Sequence, residues 1–270
     1  MIGMLRDENG IIYEDICYSL IRISSQLALS NNKNMQKIIV FSLFISLMGS
    51  AFAQKELAEH QVWNQILAKH VTVDGKVDYT GVKADPSFAR YISTLQATTV
   101  NDNWTREQKM AYWINVYNAF TIKLIIDNYP IESITKLEKP WDKPFIKIGT
   151  SAYSLNQIEN DILRTKFKDP RIHFAVNCAS FSCPILSNQA YTASNLESQL
   201  DKMARQFVND PLRNKLSGSS AEISKIFEWY AADFGSAIGL IDFLNKYASK
   251  PLAKNARITY MEYNWNLNKK

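Results

Sequence analysis

The feature that most constrains the fold is a segment, Glu107 to Asn128, that is apolar on nearly every side. A helix on a protein surface has one apolar stripe, whereas a helix that is apolar all round is buried. Thr105, with Gln108 three residues later, predicts a capping box at its start. Tyr129-Pro130 ends it, because the residue before a proline disfavours helical backbone. We therefore predict a long, central, buried helix.

Two asparagines interrupt this apolar helix. Asn115 and Asn118 are three residues apart and share one helix face. Asparagine is unfavourable in a helix interior, and a buried amide needs hydrogen-bond partners. Either these amides tie neighbouring loops to the helix, or they contact a bound substrate. Both interpretations stay open at the level of sequence.

The segments around this helix predict an α+β fold. Asp74-Gly75 between alternating apolar residues predicts a hairpin over 71–79. We expect a single helix-rich domain with a small, mostly antiparallel sheet. Further helices are predicted at 56–70, 88–95, 195–208 and 238–247, a second hairpin at 146–155, and a closing strand at 263–267.

A short stretch, Asp169 to Thr192, concentrates the reactive side chains. It holds His173, Cys178 and Cys183, from a chain with three histidines and three cysteines. The alternation over 172–176 predicts a strand that carries His173 and ends in a loop bearing the thiols. We place the functional centre here.

The N-terminal part of the chain is typical of an exported protein. An apolar run from Ile38 to Leu47 follows Met35 and a lysine, and a small-x-small site ends at Ala53. This pattern predicts a signal peptide over 35–53, cleaved after Ala53. Residues 1–34 would then be an extension upstream of the true start, and 54–270 a single periplasmic or secreted domain.

Composition excludes several classes of partner. The net charge of +5 is spread along the chain without a basic run, so we expect no nucleic-acid partner. A P-loop, a Rossmann glycine pattern and zinc-type spacing are all missing from the sequence, so we expect no cofactor. After processing we expect no transmembrane span, because the apolar run is too short.

Several sequence blocks resemble one known family. They are AYWINVYNAFTIKLI, PWDKPF, SLNQIENDILR, DPRIHFAVNCASFSCPIL, SKIFEWYAADF and YNWNLN. Together they resemble the family called domain of unknown function 547, in its bacterial exported form, and they span nearly all of the predicted mature chain. The resemblance implies no settled activity. Bacterial members commonly read S-L-x-x-I-E-H, and here Asn160 replaces that histidine while Glu159 remains.

The order of elements in this family is loosely similar to that of papain and the transglutaminases. In those enzymes the nucleophilic cysteine begins the central helix. Here that helix offers Asn115 and Asn118 instead. The likeness concerns layout alone and does not imply activity.

One functional hypothesis is a thiol-dependent hydrolase or acyl-transfer enzyme. Cys178 would be the nucleophile and His173 its base, with Glu159 or Asn118 orienting the imidazole. On a straight strand, residues five apart point to opposite faces. The hypothesis therefore requires a bend near Asn177.

A second hypothesis is a non-catalytic binding module of the cell envelope. An oxidising compartment favours a Cys178–Cys183 disulfide. That bridge would hold Ser180 and Ser182 beneath an aromatic rim that includes Trp141. The ligand would be a small molecule, a peptide or another envelope component.

A metal site built from His173, Cys178, Cys183 and Glu159 is the third hypothesis. The two cysteines are spaced more widely than in a zinc ribbon, and only one histidine is local. We therefore predict no metal.

Overall fold

The computed structural model describes residues 60–100 and 102–270. The predicted upstream extension and signal peptide lie outside the described residues. Helices make up most of the regular structure. They are α1 at 60–70, α2 at Tyr79–Ala84, α3 at Pro86–Ala97, α4 at Arg106–Asp127, a π-helix at Gln157–Phe167, α5 at Leu196–Val208, α6 at Ile226–Trp229, α7 at Ala231–Phe234 and α8 at Ala237–Tyr247, with 3-10 segments at Ile134–Lys136 and Pro170–Phe174.

The strands form two small sheets. β1 (Ile146–Ile148) and β2 (Ser151–Tyr153) make an antiparallel hairpin in which Ile146 pairs with Tyr153. β3 (Lys215–Leu216), β4 (Ser220–Ile223) and β5 (Arg257–Tyr260) make the second sheet. β3 and β4 are antiparallel, whereas β4 and β5 are parallel. The predicted α+β class is confirmed.

Helix α4 is the central element, as its sequence predicts. The hydroxyl of Thr105 accepts from the Gln108 amide, and the Gln108 side chain accepts from Thr105 N–H, so the predicted capping box is present. The helix is buried on nearly all sides between Met110 and Ile126. It packs against the π-helix, α2 and α3. Its side chains therefore reach the backs of several loops at once.

The predicted strand over 172–176 is wrong, because those residues begin in the 3-10 segment Pro170–Phe174. Asp169 accepts from Arg171 N–H at 3.0 Å, and Pro170 has a backbone angle that suits the first helical turn. This local capping outweighs the alternating pattern. Phe174 is fully buried in a cluster of phenylalanines, which anchors the segment that carries His173.

The predicted closing strand over 263–267 is also wrong as a regular strand. The segment makes scattered contacts with the thiol loop instead. Phe181 N–H donates to Asn266 C=O, and Ser180 and Leu267 form an isolated bridge. Its side chains nevertheless reach the thiol loop, and this placement brings Tyr263 and Trp265 to the site.

The predicted hairpin at Asp74-Gly75 is confined to a tight turn and a single bridge between Val71 and Val77. Gly75 has φ +77°, a left-handed conformation that favours glycine. A Cβ at this position would collide with Ile185, in the chain that follows the thiols. The turn therefore packs against the chain that follows Cys183.

Candidate active site

A cavity of about 230 Å³ brings together the three residues that the sequence singles out for catalysis. Glu159 comes from the π-helix, His173 from the 3-10 segment and Cys178 from the loop that follows it. Trp141, expected as part of an aromatic rim, also lines the cavity. A larger cavity of about 660 Å³ lies against β3, β4 and β5, and none of these four residues lines it.

The strand from which the thiol hypothesis requires a bend is not formed. The loop between His173 and Cys178 is fixed at Asn177 instead. The Asn177 N–H donates to the Asn118 side chain. The side-chain oxygen of Asn177 accepts from Ala179 N–H, and its Nδ2 donates to Pro184 C=O. Ala179 has φ +61°, a left-handed conformation that is costly for a residue with a side chain. Such conformations persist where surrounding contacts impose them, often at functional sites.

The thiol of Cys178 lies among three hydrogen-bonding groups. Its Sγ is 2.9 Å from Cys183 Sγ, 3.0 Å from Ser180 Oγ and 3.3 Å from Tyr263 Oη. Once Cys178 is ionised, each of these groups can donate to the thiolate. The Cys183 thiol contributes most to lowering the pKa of Cys178 from 9.0 to about 7, Ser180 and Tyr263 lower it further, and burial opposes them.

The two cysteines meet as predicted, but the disulfide expected between them is not formed. Both are free thiols, and their 2.9 Å separation exceeds the S–S bond length of about 2.05 Å. Each sulfur is held by hydrogen bonds instead, since Cys178 N–H donates to Cys183 Sγ at 3.0 Å. Burial, together with the neighbouring Cys178, raises the pKa of Cys183. The pair is therefore asymmetric, with the negative charge favoured on Cys178.

His173 pairs with a carboxylate that the sequence analysis did not select. Its Nε2 is 2.6 Å from Asp233 Oδ2, and its ring stacks on Tyr230 at 4.0 Å between centroids. A carboxylate only accepts, so Nε2 carries the hydrogen and Nδ1 of the neutral ring keeps a free lone pair. Nδ1 is buried and has no hydrogen-bond partner among the described residues.

Asp233 is itself fixed by Arg164. The guanidinium makes two hydrogen bonds to the carboxylate, at 2.6 and 2.9 Å. The hydrogen bond with His173, followed by that with Arg164, holds the pKa of Asp233 well below its usual range. Asn160 accepts from Arg164 Nη1 at 2.6 Å and so helps to hold Arg164.

Glu159 is buried and is held by two tyrosines. Tyr117 donates to one carboxylate oxygen at 2.9 Å, and Tyr230 donates to the other at 2.6 Å. Burial, and secondly the Glu159 charge, raise the pKa of both phenols. Within the described part of the chain, His173 makes no hydrogen bond to Glu159 or to Cys178. The carboxylate that orients the imidazole is Asp233.

The two asparagines of α4 tie loops to the helix. Asn118 donates to Ala175 C=O and accepts from Asn177 N–H, both at 2.9 Å. Asn115 exchanges hydrogen bonds with the backbone of Tyr191. Neither belongs to the wall of the 230 Å³ cavity. Their contacts match the structural interpretation of these amides.

The two loop serines have different roles. Ser180 contacts both Cys178 and Tyr263, the latter at 2.9 Å. Ser182 accepts from Asn264 N–H at 2.9 Å and so fixes the C-terminal segment beside the loop. Ser180 is therefore part of the thiol environment, while Ser182 supports the segment that carries Tyr263.

The sequence analysis did not identify Arg164, Asp233 or Tyr263 as site residues. All three lie in blocks that carry the family resemblance, which is the available signal. Asp233 is 60 positions from His173, and Tyr263 is 85 positions from Cys178. No local pattern joins residues at such separations.

The described residues contain no group of three or more histidine, cysteine or acidic side chains arranged to hold a metal ion. Over the same part of the chain, no helix has the length and apolar character needed to cross a membrane.

Comparison with known families gives a match to part of the chain. Residues 101–208 match the family model described as "Protein of unknown function, DUF547". The match supports the family to which the sequence blocks point. It covers Glu159, His173, Cys178 and Cys183 and ends before Asp233. No curated protein and no solved structure is similar enough to the chain to count as a match.

Proposed function

We propose that the 230 Å³ cavity is the active site of a thiol-dependent hydrolase or acyl-transfer enzyme. Cys178 is the nucleophile, His173 the general acid and base, and Asp233 the residue that orients the imidazole. The observation that carries the proposal is the state of Cys178, a free thiol whose pKa is lowered to about 7. Thiolate is the reactive form of cysteine.

The geometry assigns each step to a group. The Cys178 thiolate attacks an acyl carbon, an S–C bond forms, and the leaving group departs with the electron pair of its bond to carbon. His173 Nδ1, which has no hydrogen-bond partner among the described residues, then accepts a proton from the attacking water or other acceptor. Asp233 holds the ring through Nε2 and stabilises the imidazolium. Cleavage of the thioester S–C bond releases the acyl product and regenerates the Cys178 thiolate, and the proton held by His173 passes to solvent.

Glu159 then has a different role from the one predicted. Its carboxylate fixes the hydroxyl of Tyr230, whose ring stacks on His173. Glu159 therefore acts on the imidazole through the tyrosine and stays available at the cavity wall.

The test uses p-nitrophenyl acetate as a generic activated ester. We expect acetylation of Cys178, detected by intact mass and peptide mapping, followed by hydrolysis of the thioester. Cys178→Ser is expected to reduce turnover by about 100-fold or more. Ser93→Ala, at an exposed hydroxyl that donates to Ala89 C=O outside the cavity, is the control. Acetylation at other residues, or full activity of Cys178→Ser, would contradict the proposal.

A second function is a non-catalytic binding module of the cell envelope. One observation favours it: the partners of the Cys178 thiol are Cys183, Ser180 and Tyr263, with no direct hydrogen bond to His173. In this case Cys178→Ser leaves ligand binding unchanged, and no acetyl-Cys178 hydrolysis is detected in the wild-type protein.

Export to the periplasm or the medium is a further part of the proposal, and it rests on the sequence over 35–53. Expression of the full chain in a bacterial host, with fractionation and N-terminal sequencing, tests it. We expect an exported product that begins at Gln54. A cytoplasmic product that keeps residues 35–53 would contradict export.

A further inference from the structure

The buried carboxylate of Glu159 has no cationic partner. Its side chain is about 6% exposed, and it takes part in no ion pair within the described residues. Arg164 is near enough to feel its charge, but the guanidinium donates to Asp233 and Asn160. Two tyrosine hydroxyls satisfy hydrogen bonds of the carboxylate without neutralising its charge. A buried charge without a partner is costly, so a cation in the cavity would be favoured.

The remainder of the cavity wall is rich in aromatic rings. Tyr263 and Trp265 lie 4.5 Å apart between centroids, Trp229 is 4.8 Å from Tyr263, and Trp141 is 5.5 Å from Trp265. Trp229 is 46% exposed, although a tryptophan of a globular protein is usually well covered. The faces of such rings attract cations, and groups of them are a known device for binding ammonium ligands.

The cavity carries negative charge, unlike the chain as a whole. Asp142 joins Glu159 at the wall, and one of its oxygens accepts from Asn156 at 2.6 Å. Among the described residues, no lysine or arginine lines the cavity. Asp233 is neutralised by Arg164, and ionised Cys178 adds a further negative charge. The complementary ligand is cationic, despite the net charge of +5 on the protein.

We propose that this cavity binds an organic ammonium group, which contacts the aromatic rings while its charge is balanced by Glu159 and Asp142. The inference rests on the proposed function and names its substrate class: a small acyl compound or a side chain that carries a cationic nitrogen. The volume of about 230 Å³ lies below the 300–1,000 Å³ usual for drug-sized ligands. The cavity therefore accepts one group rather than an extended chain.

The test compares a cation with its neutral carbon analogue. Choline and 3,3-dimethyl-1-butanol have the same shape and differ in the charge of the central atom. Full-length Cys178→Ser protein, which cannot form a thioester, is titrated with each and followed by tryptophan fluorescence and calorimetry; n-butylammonium tests a primary amine. We expect an ammonium compound to bind about tenfold or more tightly than the neutral analogue.

Variants assign the preference to the cavity. Glu159→Gln is expected to remove most of the preference for the cation, and Trp265→Leu to weaken binding of the cation more than that of the neutral analogue. Glu138→Gln, at an exposed acid outside the cavity, is the matched control. Asp142→Asn, at an exposed position, is the second variant if Glu159→Gln fails to fold, and it is expected to reduce the preference.

Any one of three results would overturn the inference. The first is equal affinity for choline and its neutral analogue, and the second is no saturable binding of either ammonium compound up to about 10 mM. The third is an unchanged preference for the cation in both carboxylate variants. The outcome is separate from that of the proposed enzymatic function. Cation binding without acetylation of wild-type Cys178 removes the enzyme and keeps the ligand class. Acetyl-Cys178 turnover without cation binding keeps the enzyme and removes the ligand class.

Discussion

Replacing Cys183 with alanine is expected to raise the pKa of Cys178. The Cys183 thiol is the largest contributor to the lowered value of about 7, and the two sulfur atoms are 2.9 Å apart. A hydrogen bond to a charged group contributes about 1.5–3 kcal/mol, and one pKa unit corresponds to about 1.4 kcal/mol. Loss of this donor therefore predicts a rise of about 1–2 units, to a pKa of roughly 8–9.

The assay is the rate of alkylation of Cys178 by iodoacetamide between about pH 5 and pH 10, with the modified cysteine identified by peptide mass. The thiolate is the form that reacts, so the midpoint of the profile reports the pKa. The wild-type midpoint is expected near pH 7. The midpoint is a cleaner measure than the limiting rate, because a thiolate of higher pKa is also more nucleophilic.

Cys183→Ser is the matched control, because its hydroxyl keeps a donor at the same position. We expect its midpoint to lie between that of the wild type and that of Cys183→Ala. Ser93→Ala should leave the midpoint unchanged, since the exposed Ser93 hydroxyl donates to Ala89 C=O away from the cavity. The reasoning is refuted if Cys183→Ala remains folded by circular dichroism and still shows a midpoint near pH 7.

Three further changes test the scaffold and the site. Asp233→Asn is expected to slow acetyl-Cys178 hydrolysis by about 100-fold in a stopped-flow assay, because Asp233 orients the imidazole. The alkylation midpoint should stay near pH 7. An unchanged hydrolysis rate would count against an orienting role. Asn118→Ala leaves the buried Ala175 C=O and Asn177 N–H unpaired, so we expect about 2–4 kcal/mol less stability in urea denaturation, with exposed Asn255→Ala as control. Gly75→Ala imposes a side chain at φ +77° against Ile185 and is expected to cost about 1–3 kcal/mol; full stability in thermal denaturation would contradict that steric account.

The parts of the fold that follow from sequence are those set by local interactions. The capping box at Thr105, the buried length of α4 and the β1–β2 hairpin depend on residues a few positions apart. The burial of Asn115 and Asn118 also follows, because the surrounding helix is apolar on all sides. In these cases the local sequence pattern favoured one structure, and no other local signal favoured a different one.

The errors arise where two local signals compete. The alternation over 172–176 fits a strand, but Asp169 caps the following turn and Pro170 starts it. Ile172, Phe174 and Val176 are all buried, so the alternating apolar residues lie in the core without any strand. Periodicity over five residues does not separate these two outcomes.

Only part of the site was predicted, because the site residues come from distant segments of the sequence. Glu159, His173 and Cys178 lie within 20 positions and do line one cavity. The partner of His173, Asp233, lies 60 positions away in the short helix Ala231–Phe234. The sequence also does not show whether the cysteines are free thiols or a disulfide, because their spacing indicates only that the two sulfur atoms can meet.

The central claim is that Cys178 and His173 act together, and the lifetime of acetyl-Cys178 tests it most directly. Wild-type protein and His173→Gln are acetylated with p-nitrophenyl acetate, desalted, and followed by intact mass at pH 7. The account predicts that the adduct persists about 100-fold longer in the variant, because the imidazole no longer accepts a proton from water. Equal lifetimes in two folded proteins would contradict it.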